Sequence, residues 1–268
     1  MMSTIPGRRS EHAIILAAGK GERLLPITAH RPKPLLPVNG TPILRNCVQM
    51  LGASGITKAT IVIGHLRDLV VAELGSTLAG VEIDYVPVEN YQHTNNIVSL
   101  WAARDHLCND VVLIEGDVFF DRVILDRLLS PDLVNAVAVD RMEPHMTGAA
   151  VSVDEEWCIQ ALSIVPAQAG ESRKKELWKT INIHRFCREF MQRSLLPEIE
   201  RTIEAGNTYE FYECALARLI ARGGSDLRAV PCPNIRWIEI DDPLDYAVAQ
   251  LLFIDKSSEE TRGAYYAS

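Results

Sequence analysis

The sequence has neither a long hydrophobic run nor an excess of positive charge. No apolar stretch approaches the roughly 20 residues that a membrane-spanning helix requires. The chain has 27 basic and 35 acidic residues, which gives a formal net charge of −8. Nucleic-acid-binding proteins neutralise phosphates with clustered lysine and arginine, and no such cluster is present. We therefore expect no membrane partner and no nucleic-acid partner.

The sequence also lacks paired cysteines. No C-x-x-C motif occurs among its six cysteines, which are Cys47, Cys108, Cys158, Cys187, Cys214 and Cys232. This spacing argues against a zinc site and against a dithiol redox motif. We interpret the six as free thiols, most of them buried, in a protein of the reducing cytoplasm.

Alternating strand and helix patterns predict an α/β fold in the first half of the chain. Mostly apolar segments such as 13–16, 60–63 and 111–114 are separated by helical patterns such as 43–54, 67–78 and 96–107. Strands that are apolar on both faces are buried on both faces, which is typical of a mostly parallel sheet. We predict a Rossmann-like, three-layer fold with helices on both faces of such a sheet.

After about residue 130 the regular alternation stops. The later patterns predict, in order, strands 134–139, 149–153 and 159–165, helices 185–204 and 209–222, strand 236–240 and helix 243–254. No internal repeat divides the chain, so we expect a single domain over residues 12–255. Residues 1–11 are polar and expected to be disordered, and residues 256–268 are expected to form a polar tail.

A glycine-containing loop follows the first predicted strand. Residues 16–23 read L-A-A-G-K-G-E-R, and R-P-K-P follows at 31–34. Glycine allows positive φ and close approach of backbone amides to a ligand, and successive amides form a site for anions. Nearby prolines stiffen the segment that carries Arg23 and Lys33. The pattern predicts a polyphosphate site, although it matches neither the dinucleotide fingerprint nor the P-loop.

This loop and the R-P-K-P that follows resemble the signature of the nucleotidyltransferases. Enzymes of that superfamily join a nucleoside triphosphate to a phosphorylated acceptor and release pyrophosphate. The resemblance implies the fold of the nucleotide-diphospho-sugar transferases, with Arg23 and Lys33 as catalytic cations on the phosphates. The nucleotide-binding residues that it implies in the loop are Leu16, Ala17, Ala18, Gly19, Gly21 and Glu22. The alternative is a loop in which the glycines only form turns.

Two acidic segments are candidates for a magnesium site. The first is L-I-E-G-D at 113–117, which places Asp117 just past a buried strand, where parallel sheets bind ligands. The resemblance makes Asp117 a Mg²⁺ ligand. Mg²⁺ is commonly held by one or two carboxylates together with substrate phosphates.

The second carboxylate is expected in the late segment E-I-D-D-P at 239–243. Strand alternation places Glu239 and Asp241 on one face, while Asp242 is in position to cap the last helix. We therefore predict Asp241 as the second metal ligand and Asp242 as the N-cap. Asp245 is interpreted as a solvated carboxylate in the first helical turn.

The motif N-N-x-x-S, formed by Asn95, Asn96 and Ser99, indicates one branch of the nucleotidyltransferases. It resembles the bacterial choline-phosphate cytidylyltransferases and the related enzymes that activate phosphonates such as 2-aminoethylphosphonate. The resemblance implies CTP as the nucleotide and these three residues as further nucleotide-binding positions. The amides of Asn95 and Asn96 can both donate and accept hydrogen bonds, as base or ribose recognition requires. Alternatively, Asn95 is only a helix N-cap.

Two later segments supply candidates for binding the acceptor. W-K-T-I-N at 178–182 is similar to the phosphonate-activating enzymes, and Lys179 is the candidate cation for a phosphonate unless it is a solvated surface lysine. Y-E-F-Y-E at 209–213 offers aromatic faces and carboxylates to an ammonium group, unless it only packs as a helical stripe. The predicted acceptor-binding residues are Lys179, Asn182, Tyr209, Tyr212 and Glu213.

Together these patterns predict a Mg²⁺-dependent cytidylyltransferase. It would transfer CMP from CTP to 2-aminoethylphosphonate, hydroxyethylphosphonate, phosphocholine or a similar small phosphonate or phosphomonoester, releasing pyrophosphate. Residues 12–130 would form the nucleotide-binding half and residues 131–255 the acceptor-binding half, and a homodimer is one possible assembly. The alternatives are a sugar-1-phosphate nucleotidyltransferase using UTP, dTTP or GTP, and a nucleotide-binding regulatory subunit without catalysis.

Overall fold

The computed structural model describes residues 12–170, 174–223 and 226–254. Its strands, in chain order, are β1 (His12–Ala17), β2 (Pro37–Val38), β3 (Thr41–Pro42), β4 (Lys58–Ile63), β5 (Thr77–Leu78), β6 (Val81–Pro87), β7 (Val111–Glu115), β8 (Val118–Phe120), β9 (Ala136–Arg141), β10 (Gly148–Val153), β11 (Ile159–Val165), β12 (Trp178–Phe186), β13 (Arg228–Pro231) and β14 (Trp237–Glu239).

Helices connect several of these strands and are numbered in the same way. They are α1 (Ile43–Ala53), α2 (Arg67–Leu74), α3 (Asn96–Ala102), α4 (Val123–Leu128), α5 (Arg188–Phe190), α6 (Leu196–Glu204), α7 (Tyr212–Ala221) and α8 (Pro243–Leu252). A π-helical stretch, Met191–Leu195, joins α5 to α6. None of the helices in the described ranges is both long and apolar enough to span a membrane.

The central sheet confirms the predicted α/β class. Strand β1 lies between β4 and β7, and both are parallel to it, while β6 extends the parallel set beyond β4. Successive residues of β1 point to opposite faces, as in any strand. Ala13 and Ile15 pack with α1, α2 and α4, whereas Ile14 and Leu16 pack with α3, α6 and α7. The sheet is therefore covered by helices on both faces.

The second half of the chain adds antiparallel strands to the sheet. Strand β12 runs antiparallel to β7, and both β9 and β10 pair antiparallel with β12. The predicted helix 185–204 is wrong at its start, because residues 178–186 form β12 and the helical segment begins at Arg188. This strand has polar residues at buried positions, among them Lys179, Thr180 and His184, so its pattern does not indicate a buried strand.

Three smaller differences separate the observed elements from the predicted ones. The predicted helix 67–78 ends at Leu74, and residues 77–78 form the short strand β5, which pairs antiparallel with β6. The predicted helix 96–107 ends at Ala102 and is followed by a 3₁₀ turn. Strand β13 was not expected, and it pairs with β9 in parallel.

A small two-stranded sheet brings together the two acidic segments found in the sequence. Strands β8 and β14 pair antiparallel, with Val118 opposite Glu239. The start of β8 therefore meets the end of β14, and the Ile240 amide donates to the Asp117 carbonyl at 3.0 Å. Asp117 and Asp241, which are far apart in sequence, become neighbours.

The start of α8 is fixed by the predicted cap. Asp242 Oδ1 accepts hydrogen bonds from the backbone amides of Leu244 and Asp245 at 2.8 and 3.0 Å. Asp245 is not simply solvated, because its Oδ2 accepts from the amides of Asp241 and Asp242 at 2.9 and 3.1 Å and completes a capping box. The cap therefore also fixes the backbone of the candidate metal ligand Asp241.

Replacing the cap should reduce stability. We expect Asp242→Ala to lower the free energy of unfolding by about 1 kcal/mol, because two amides of α8 lose their acceptor. Urea denaturation measures the change, with the exposed Asp105→Ala as the matched control. Equal stability of D242A and the wild type would show that the cap does not hold the helix.

Candidate active site

A cavity of about 780 Å³ opens at the carboxyl ends of the parallel strands. Its walls include most of the residues that the sequence analysis singled out: Leu16, Ala17, Ala18, Gly19, Gly21, Glu22, Arg23, Lys33, Asn95, Asn96, Ser99, Asp117, Asn182, Glu213 and Asp241. Residues from before and after position 130 thus line the same cavity. Lys179, Tyr209 and Tyr212 are not among the lining residues.

The loop after β1 is held against the neighbouring strand ends by backbone contacts. The His65 amide donates to the Ala18 carbonyl at 3.1 Å, and the Gly116 amide donates to the Leu16 carbonyl at 2.8 Å. A Cβ at Gly116 would lie only 2.9 Å from that Leu16 oxygen, so the approach requires glycine. No role for Gly116 was expected from the sequence, although this residue stands beside Asp117 in the same motif.

Gly21 connects the loop to the catalytic candidate Lys33. It has φ of +64°, and a Cβ there would lie 2.7 Å from Lys33 Cβ. The Thr28 hydroxyl donates to the Gly21 carbonyl at 3.0 Å, which further fixes the turn. Glycine at this position lets the Lys33 side chain pass beneath the loop.

The Lys33 ammonium joins the two candidate metal ligands. Its Nζ lies 2.8 Å from Asp117 Oδ2 and 2.8 Å from Asp241 Oδ1. Arg23 Nη2 lies 2.8 Å from the same Asp241 oxygen. Burial lowers the pKa of Lys33, but the two carboxylates outweigh it and hold this pKa above its ordinary value. Burial raises the pKa of Asp241, and Lys33 and Arg23 bring it below its ordinary value. Lys33 and Asp241 are therefore both charged at neutral pH.

Three carboxylates could hold a divalent cation. Asp117, Glu239 and Asp241 each offer one oxygen, and these oxygens lie within 4.8 Å of one another. Asp117 Oδ1 is buried and has no hydrogen-bond partner within the described residues. Carboxylate oxygens are the donors that hard cations such as Mg²⁺ prefer. The donor set therefore fits such a cation, and Glu239 joins the two predicted ligands.

Acidic side chains form another wall of the cavity. Glu115 ends β7, Glu213 lies in the first turn of α7 and Glu239 ends β14, and all three line the cavity. Burial raises the pKa of Glu213 to about 7, and burial together with Glu213 raises the pKa of Glu115. Burial also raises the pKa of Glu239, against the effect of Lys179. A cation from a ligand would favour the charged form of each carboxyl.

Three of the predicted acceptor-binding residues do not line the cavity. Lys179 is 3% exposed, with its Nζ 2.9 Å from Glu239 Oε2, so it is not a solvated surface lysine. Tyr209 is 67% exposed, and Tyr212 is fully buried with its ring centroid 6.0 Å from that of His184. The predicted contacts of these two tyrosines with an acceptor remain predictions, and Phe211 and Glu213 are the residues of that motif that line the cavity.

The first half of the chain is similar to a known protein family. Residues 12–135 match the family model described as nucleotidyl transferase. The fold agrees with the solved CTP:phosphocholine cytidylyltransferase from Streptococcus pneumoniae, with a TM-score of 0.75 at 20% identity, covering 91% of this chain and 99% of that one. The predicted fold class is thus confirmed.

Two curated relatives are more similar in sequence. The CMP-5'-(3-aminopropyl)phosphonate synthase of Streptomyces rubellomurinus is 34% identical over 241 residues, which are 90% of this chain and 38% of that protein. The 2-aminoethylphosphonate cytidylyltransferase of Lancefieldella rimae is 37% identical over 135 residues, 47% of this chain and 49% of that protein. The chain therefore spans half or less of the length of these relatives.

Substitution of Gly21 tests how the loop depends on close packing. In Gly21→Ala, positive φ and contact with Lys33 should together cost roughly 1–2 kcal/mol in unfolding free energy. We expect weaker CTP binding in calorimetry as well, because the loop must move away from Lys33. Gly19→Ala is the matched control for stability, since a Cβ there meets nothing within 4 Å. Wild-type stability and CTP affinity in G21A would contradict this description of the loop.

Proposed function

We propose that the protein transfers CMP from CTP to a small aminoalkylphosphonate or a related phosphomonoester and releases pyrophosphate, with Mg²⁺ as its cofactor. The observation that carries the proposal is the Lys33 ammonium between Asp117 and Asp241, beneath the loop of residues 16–23. The names of the two phosphonate-activating relatives support the choice of nucleotide and of acceptor class.

The reaction requires positioning and charge stabilisation rather than a general base. An oxygen of the acceptor's phosphonate is already anionic, and it attacks the α-phosphorus of CTP in line. A new phosphorus–oxygen bond forms, while the bond from the α-phosphorus to the bridging oxygen breaks and its electron pair leaves with pyrophosphate. Lys33 and Arg23 would stabilise the negative charge of the phosphoryl oxygens during this exchange.

Asp117, Glu239 and Asp241 would hold Mg²⁺. When bound, the ion supplies Lewis-acid stabilisation of charge on phosphate oxygens. Lys33 already balances two of these carboxylates, so the protein can keep the acidic set assembled before the substrates arrive.

The acidic wall favours an acceptor with a positively charged end. Glu115, Glu213 and Glu239 lie together at the cavity, and Lys179 pairs with one of them. A primary ammonium carries one positive charge and three N–H donors, which suit neighbouring carboxylates. A sugar phosphate or hydroxyethylphosphonate presents a neutral hydroxyl instead. The charge of the wall thus supports an amine acceptor over these alternatives.

A pyrophosphate-release assay tests the proposal. CTP, UTP, ATP, GTP and dTTP are each combined with Mg²⁺ and with 2-aminoethylphosphonate, 3-aminopropylphosphonate, hydroxyethylphosphonate, phosphocholine or glucose-1-phosphate. We expect the highest kcat/KM for CTP with an aminoalkylphosphonate, since only that acceptor brings an N–H-bearing cation to the acidic wall.

Two other outcomes of this assay would contradict the proposal. A preference for glucose-1-phosphate with UTP or dTTP would overturn the proposal in favour of a sugar-phosphate enzyme. Binding of CTP without turnover of any acceptor would favour the regulatory alternative. Product identity is confirmed by phosphorus NMR, which distinguishes a mixed phosphonate–phosphate anhydride from free CMP.

A further inference from the structure

Two adjacent asparagines join the beginnings of two helices that are distant in sequence. The Asn95 amide donates to the Thr208 carbonyl at 2.9 Å, and Asn95 Nδ2 donates to the Tyr209 carbonyl at 3.2 Å. Asn95 Oδ1 accepts from the Asn96 amide at 2.8 Å and caps α3. The start of α3 is thereby attached to the segment that leads into α7.

The Asn96 side chain is engaged by the protein on both sides of its amide. Its Nδ2 donates to Glu115 Oε1 and to Glu213 Oε2, each at 3.1 Å. Its Oδ1 accepts from the Tyr212 backbone amide at 2.9 Å. An asparagine has two side-chain N–H donors, and both are used here. The side chain therefore has no N–H left for a cytosine or a ribose, unlike the expectation from the sequence.

The two hydrogen bonds from Asn96 Nδ2 bring together carboxyl groups from two different elements. Glu115 comes from the end of β7 and Glu213 from the first turn of α7. Like charges so close repel each other, and the Asn96 N–H groups offset this by bonding one oxygen of each. The second oxygen of each carboxylate is not held by Asn96. Both side chains line the cavity.

We propose that Asn96 is a positioning residue for the acceptor, holding Glu115 and Glu213 as a pair that receives the acceptor's primary ammonium, and that it does not recognise the nucleotide. The inference rests on the proposed function, because it requires an acceptor with a cationic end. Two of the three ammonium N–H groups would donate to the second oxygens of these two carboxylates. Asn96 itself acts through the two glutamates.

Steady-state kinetics of Asn96→Ala test the proposal. With CTP saturating, we expect the KM for the aminoalkylphosphonate to rise about tenfold or more, the scale of one lost hydrogen bond to a charged group. With the acceptor saturating, the KM for CTP should stay unchanged. The preference for 2-aminoethylphosphonate over hydroxyethylphosphonate should fall as well. The exposed Asn109→Ala is the matched control and should match the wild type.

A double-substitution cycle distinguishes positioning from a general structural effect. Glu213→Gln removes one of the two charges that Asn96 is proposed to orient, so the combined effect of N96A and E213Q on the acceptor KM should be smaller than the two single effects added as free energies. Additive effects would overturn the proposal, and so would a rise in the KM for CTP. If N96A does not fold, Asn96→Ser replaces it, because one hydroxyl donor cannot bridge two carboxylates.

The outcomes separate this inference from the proposed function. Wild-type turnover of CTP with an amine acceptor, together with a CTP-specific defect in N96A, would contradict only the role of Asn96. Absence of wild-type turnover with every amine acceptor would contradict the proposed function itself. In that case the asparagine variants are compared by calorimetry with CTP, and weaker CTP binding in N96A would overturn the role of Asn96 too.

Discussion

One ion-paired lysine connects the parts of the chain that build this site. Lys33 lies 84 positions from Asp117 and 208 positions from Asp241, and its ammonium contacts both carboxylates at 2.8 Å. Its side chain is only 12% exposed. Removing one partner from such a buried set leaves an uncompensated charge, which is strongly destabilising. The loop after β1, the β8–β14 pair and the start of α8 are therefore coupled through one group.

The surrounding fold makes this coupling possible. The antiparallel pairing of β8 with β14 places the two aspartates side by side, and the capping box of α8 holds the Asp241 amide. Apolar contacts complete the support, since Leu24 and Leu36 of the loop pack with Phe119, Ile240 and Ala249. The charges in the cavity are thus fixed before any substrate binds, which is the condition for electrostatic catalysis.

The sequence predicted the parts of the site that depend on local pattern. The glycine loop, Asp117 at a strand end and the cap at Asp242 each have a chemical signature within a few residues. Strand β12 has no such signature, because Lys179, Thr180 and Asn182 are buried polar residues whose partners include groups from elsewhere in the fold. Lys179, for example, pairs with Glu239, 60 positions away along the chain.

The partners of Asn96 could not be predicted from the sequence for a related reason. An asparagine looks available for a ligand until its partners are known, and Glu115, Tyr212 and Glu213 come from distant elements. Tyr212 likewise has the residue type of a ligand contact but is fully buried. Polar residues can be assigned from pattern only when both partners are local, whereas long-range pairs require the assembled structure.

The most direct test of the central role of Lys33 is the single-turnover rate of Lys33→Ala with CTP, Mg²⁺ and an aminoalkylphosphonate. A loss on the order of 10²–10³ in rate is predicted, because the ammonium that balances the carboxylates and the transferring phosphoryl group is gone. Lys58→Ala, which removes only a surface ion pair with Glu82 at the other end of the sheet, should react normally. A folded K33A protein with a near-normal rate would contradict the claim that this lysine organises the chemistry.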